Sequence, residues 1–114
     1  MGQVISKAVM HRHYDIYVCK NQVEYDKLNK EHDFEHTYDD DCEGCFVRVK
    51  SKKLNSYVGI IYFNNPFDEG VVVHECVHAA EDFFRHIGED MPSEEFRAYT
   101  INTLFNQVME KLLN

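Results

Sequence analysis

The chain is short of positive charge, of long apolar runs and of anything repetitive. Lysine and arginine total 12 against 20 aspartates and glutamates, a formal net charge of -8 over 114 residues. A surface of that sign disfavours nucleic acid and anionic membranes as main partners and favours cations, metals included. No apolar stretch approaches the roughly 20 residues that cross a bilayer, and no secretory hydrophobic segment follows Met1. The expectation is a cytoplasmic protein made without a propeptide. Proline occurs twice and glycine five times, and no segment repeats, so low-complexity and solenoid architectures are excluded. The four cysteines, Cys19, Cys42, Cys45 and Cys76, are expected as free thiols in a reducing compartment.

What is present suffices for one domain over residues 1–114. Hydrophobic residues make up 44% and aromatics 13%, too much for a disordered chain and enough for a core of modest size. Residues 1–13, ending in His11-Arg12-His13, read as a frayed start or a first strand. Tyr14–Cys19 has the β-branched and aromatic content of a strand, and Asn21 is placed to cap a helix reaching about Glu31. A polar loop with the acidic run Asp39-Asp40-Asp41 follows. Phe46–Lys50 alternates and Tyr57–Phe63 is more continuously apolar, with a turn over Lys52–Ser56, which predicts a hairpin. A helix is expected from Asp68 or Glu69 to Ile87, stopped by Gly88, and Ser93 caps a last helix to about Leu113. The order gives an α+β domain in which a small sheet of three to four strands packs with the two last helices.

Those two helices carry the candidate chemistry. His74-Glu75-Cys76-Val77-His78 sets two histidines four apart around a glutamate. Four residues advance a helix by about 400°, so both imidazoles point the same way, one turn apart. On the wheel Val72, Val73, Cys76, Val77, Ala80, Phe83, Phe84 and Ile87 share one broad face. His74 and His78 lie opposite, with Glu81 and Arg85. Two imidazoles so placed can grip one zinc ion, and Glu75 beside them can act as a base. A catalytic zinc site needs a third protein ligand, and Glu94-Glu95 at the head of the last helix is its natural source. Glu94, Ala98, Ile101, Phe105, Val108 and Leu112 form the expected core stripe of that helix. Glu95 lies at its flank, on the side from which a cleft metal would be met, with Glu94 the alternative.

His74-Glu75-Cys76-Val77-His78 followed by Glu95-Phe96-Arg97-Ala98-Tyr99 resembles the gluzincin pattern, HExxH with a later Glu-x-x-Ala. It is most similar to small HExxH proteins of phages and mobile elements, relatives of the ImmA/IrrE-type peptidases, over about residues 70–105. The resemblance implies a minimal zincin-like fold, with an HExxH active-site helix and a glutamate-bearing C-terminal helix. It implies Zn2+ held by His74, His78 and Glu95, with Glu75 as general base toward a zinc-bound water. The implied activity is a metallopeptidase acting on a peptide or protein substrate. By the same analogy the peptide docks along an edge strand, Tyr57–Phe63 or Phe46–Lys50. Tyr99 or one of His11, His13, His32 and His36 would steady the oxyanion. The second reading is a non-catalytic acidic protein that binds a partner through charge, such as a phage-type inhibitor or nucleic-acid decoy, with a structural or vestigial metal site. Cys42-Glu43-Gly44-Cys45 lacks the partner pair of a structural zinc knuckle and reads as a turn with two incidental thiols.

Overall fold

A computed structural model of the chain describes residues 4–7, 14–64 and 68–113. The elements are β1 (Val4–Lys7), β2 (Asp15–Cys19), α1 (Gln22–His32), β3 (Gly44–Ser51), β4 (Ser56–Phe63), α2 (Glu69–His86) and α3 (Glu94–Leu113). The α+β class therefore holds, with a four-stranded mixed sheet in the order β1-β2-β4-β3. β1 is the first strand that the reading of residues 1–13 left open; His11 and His13 lie outside the described residues.

Local chemistry sets the helix ends as expected. Asn21 Oδ1 accepts from Glu24 N at 3.0 Å, while Glu24 Oε1 accepts from Lys20 N at 2.8 Å. Asp68 caps α2 by accepting from Gly70 N, and Ser93 Oγ accepts from Phe96 N at 3.1 Å to open α3. Gly88, at φ 76°, takes the left-handed turn that ends α2, where a side chain would be strained.

The sheet is covered on both faces, which explains why β4 reads as a nearly unbroken apolar run. Ile16, Val18, Ile61 and Phe63 pack with α2 and α3 through Cys76, Phe83, Phe84 and Leu104. Tyr17, Cys19, Ile60 and Tyr62 turn the other way, toward α1 and the loop after it, through Tyr25, Leu28, Phe34 and Tyr38. That loop is held to the sheet where the Tyr38 hydroxyl donates to Phe63 O at 3.0 Å. The hairpin tip is latched to the end of α1. His32 Nδ1 meets Ser51 Oγ at 2.7 Å, Lys52 N donates to His32 O at 2.9 Å, and Lys53 Nζ reaches Glu31 Oε2 at 2.6 Å. Burial holds the His32 ring below its ordinary pKa of 6.5, so it is neutral in the folded protein near pH 7.

β4 lies inside the sheet between β2 and β3, so of the two strands proposed as a docking edge only β3 is one. Its position against α2 depends on Gly44. A Cβ there would stand 2.6 Å from Val71 Cγ1 and 2.9 Å from Phe63 Cδ1. Gly44→Ala should therefore destabilise the fold by about 1–3 kcal/mol, because neither neighbour can retreat without opening the strand from the helix. Urea denaturation reads this, and an unchanged midpoint would show that β3 and α2 are loosely apposed.

Candidate metal centre and the groove around it

Two expected helix faces are corrected. In α2 the buried stripe is Val72, Glu75, Cys76, Ala79, Ala80, Asp82, Phe83 and Phe84, whereas Val73 is 42% and Val77 37% exposed. Apolar periodicity alone marked Val73 and Val77 as core. The covering elements lie elsewhere: β3 flanks the opposite edge of the helix, the edge on which Glu75 and Asp82 are buried. In α3 the buried line is Thr100, Leu104, Val108 and Leu112, and Ala98 is exposed. A strict four-residue step shares Val108 and Leu112 with the expected stripe and departs from it toward the N-terminal end, where Ile101 and Phe105 remain partly buried against the core.

The contacts define a groove. On one side of α2, Val71 meets Gly44 and the Asp82 carboxylate lies 3.9 Å from Arg48 Nε, which sets β3 along that edge. On the other side Glu81 pairs with Arg97, and the Phe84 and Phe96 rings stand 5.3 Å apart, which sets α3 there. Successive helical residues are separated by about 100°. His74, His78 and Arg85 therefore fall in the open sector between β3 and α3, and all three are exposed.

Within this groove the two histidines converge. Their Nε2 atoms are 3.2 Å apart and their rings stand at 77° to one another. This is a hydrogen bond, one ring donating and the other accepting; two nitrogens bound to one tetrahedral zinc at about 2.05 Å each are separated by about 3.3 Å, so the same spacing also fits a shared ion. Glu75 sits beside them, only 6% exposed. It has no hydrogen bond or ion pair among the described residues. The buried side-chain atoms left without a hydrogen-bond partner among the described residues do not include its carboxylate oxygens, which therefore reach solvent from an otherwise covered side chain.

The third ligand is not gathered. Among the described residues, the one group of three His, Cys, Asp or Glu donors lying within 4.8 Å of one another is the exposed Asp39, Asp40 and Asp41. Neither Glu95 nor Glu94 therefore stands that close to both histidines. The Glu81–Arg97 and Phe84–Phe96 contacts explain this, because they hold α3 antiparallel and set Glu95 at the level of residues 84 and 85. Six or seven residues of helix, about 10 Å, separate that level from His78. The Thr100 hydroxyl is buried without a hydrogen-bond partner.

Of the residues considered for the oxyanion, His32 and His36 pack with Tyr17 and Tyr25 on the far face of the sheet, away from the groove. Tyr99 is 64% exposed rather than core. Asp82 acquires a role that sequence alone gave no reason to expect. Buried at the β3 side of α2, it accepts from the Tyr14 hydroxyl at 2.5 Å and has Arg85 Nη2 at 3.7 Å. Burial, aided by the Asp82 charge, drives the Tyr14 hydroxyl far above the usual tyrosine range, so it stays a donor. The spacing of Asp82 and Arg85 on the helix was legible, but a partner 68 residues earlier was not.

The cysteines are free, as expected. Burial pushes the Cys76 thiol up to about 12, which makes it a packing group rather than a nucleophile. Cys42 donates to Asp39 O at 3.3 Å and is pushed up to about 11 by burial and by Cys45. Among the described residues no helix is long and apolar enough to cross a membrane. Comparison with protein-family models, with curated proteins and with solved structures finds no match to this chain.

Proposed function

We propose that the protein is a zinc-dependent metallopeptidase whose site is centred on His74, Glu75 and His78. The observation that carries this reading is the Nε2 pair at 3.2 Å, the separation that two imidazoles adopt on one tetrahedral ion. Bound there, zinc would supply Lewis acidity toward water and the scissile carbonyl. Glu75 takes the proton of the attacking water and returns it to the departing amine, one carboxylate serving as base and then acid. The outer edge of β3, paired on one side alone among the described residues, aligns an extended peptide beside α2 by main-chain hydrogen bonds.

Glu95, with Glu94 as the alternative, is the proposed third ligand. It would join through a shift of the first turn of α3 that breaks the Glu81–Arg97 pair. The absence of a third donor within 4.8 Å of both histidines among the described residues favours the second reading, a non-catalytic acidic partner-binding protein. Zinc content separates the two. Protein purified without chelator should carry about one zinc per chain by elemental analysis, and His78→Ala should carry none, since one imidazole and a distant glutamate cannot hold the ion. Folded wild-type protein that takes up no zinc would leave the partner-binding reading standing alone.

A further inference from the structure

The groove is not electrically uniform, although the chain as a whole is strongly acidic. Past His78, toward the C-terminal end of α2, its floor carries Arg85, whose side chain is 72% exposed. Its β3 wall carries Arg48 and Lys50, which share the strand face of Gly44 and Phe46 by alternation. Tyr57, cross-strand from Lys50 and half exposed, lies under the Arg48 guanidinium at 4.4 Å. The hairpin lysines beyond are already engaged, Lys52 with Asp33 at 3.3 Å and Lys53 with Glu31. Asp82 stands 3.9 Å from Arg48 and 3.7 Å from Arg85, beyond hydrogen-bond length, and it already accepts from Tyr14. On the β3 side one carboxylate thus faces two guanidiniums whose N–H groups remain free to donate, and Lys50 adds a further charge without a partner among the described residues, whereas the head of α3 carries the exposed Glu94 and Glu95.

We infer that the β3 side of this groove, away from the Glu94 and Glu95 carboxylates of α3, selects an extended peptide carrying acidic side chains, received by Arg48, Lys50 and Arg85. This deepens the groove reading above but does not depend on the metal. Arg85 lies seven residues beyond His78, about 10 Å along the helix, and an extended peptide covers that span in about three residues. The preferred acid therefore lies about three residues from the bond positioned at His78. Planar guanidiniums suit carboxylates because they can offer two parallel N–H groups at once.

Fluorescence anisotropy tests this on the full chain in chelator, with short end-blocked peptides of alternating Thr and Ala. The peptides carry Glu, Gln or Lys about three residues to either side of their centre. The Glu peptide should bind about fivefold more tightly than the Gln peptide and lose that margin in high salt, as expected of two partly exposed ion pairs. Lys50→Gln and Arg85→Gln should each remove the margin, so that Glu and Gln peptides bind alike. Arg48→Gln should do the same, judged only if its melting temperature is retained. Lys52→Gln and Lys53→Gln should change nothing. Equal binding of Glu and Gln peptides, or equal losses in the hairpin lysine variants, would overturn the inference. So would competition by single-stranded oligo-thymidylate at the same site. A chain that prefers the Glu peptide yet takes up no zinc would sink the metallopeptidase reading and leave this one intact.

Discussion

Glu75→Gln should retain its zinc and fold while losing hydrolysis by a factor of about 10²–10⁴, the usual worth of a positioned general base. The amide preserves the shape of the side chain and removes only its ability to take a proton. Because Glu75 has no hydrogen bond or ion pair among the described residues, the same substitution breaks no contact on which the fold depends. The variant should therefore melt no lower than the wild type. Loss of activity with equal or greater stability is the signature of a group kept for chemistry. Elemental analysis, calorimetry and hydrolysis of a quenched fluorescent peptide read the three quantities. If Glu75→Gln cleaves as fast as wild type, the base is another group and the proposed roles fail. If it loses zinc instead, Glu75 is a ligand rather than a base.

Phe83→Ala should cost about 3–5 kcal/mol of folding stability, a large share of the roughly 5–15 kcal/mol that a domain this size possesses. Phe83 is fully buried, with the Tyr14 ring centroid at 5.6 Å and the Phe84 ring at 5.9 Å. It therefore joins β2, α2 and the α2–α3 interface in one cluster. Removing it leaves a cavity between rings that cannot close together without moving α2 relative to the sheet. The Tyr14–Asp82 hydrogen bond runs beside this contact, so the β3 side of the groove should loosen as well. Equilibrium denaturation measures the loss. A cost below about 1.5 kcal/mol would mean that α2 is not anchored where these contacts put it.

Much of the fold was legible because the signals were local. Asn21, Ser93 and Gly88 announce helix ends by side-chain capping and by backbone freedom, and these need no knowledge of distant residues. The hairpin was readable from one alternating strand, one continuous strand and a polar turn. Sequence could not reveal which strand forms the edge, because that depends on β2 pairing with β4 in parallel across an intervening helix and strand. The same limitation explains the misread faces of α2. Val73 and Val77 look like core by periodicity, yet no element covers them fully. Glu75, a charged residue outside the apolar pattern, is nevertheless 6% exposed. The histidine pair was legible because i, i+4 geometry is intrinsic to a helix. The remoteness of Glu95 follows from the Phe84–Phe96 and Glu81–Arg97 contacts, which no spacing in the chain encodes.

The latch between the hairpin tip and α1 bears on how the molecule behaves among its own copies. A strand bonded on one side and pinned at its far end by Ser51, Lys52 and Lys53 stays flat and extended, the form most prone to pair with a second β3. In an antiparallel meeting of two such edges, Arg48 and Lys50 of one copy would approach the same cations of the other. Like charges set directly across a strand pair repel. The cations that line the groove thus also act as gatekeepers against polymerisation, and neutralising them would carry a risk of fibres.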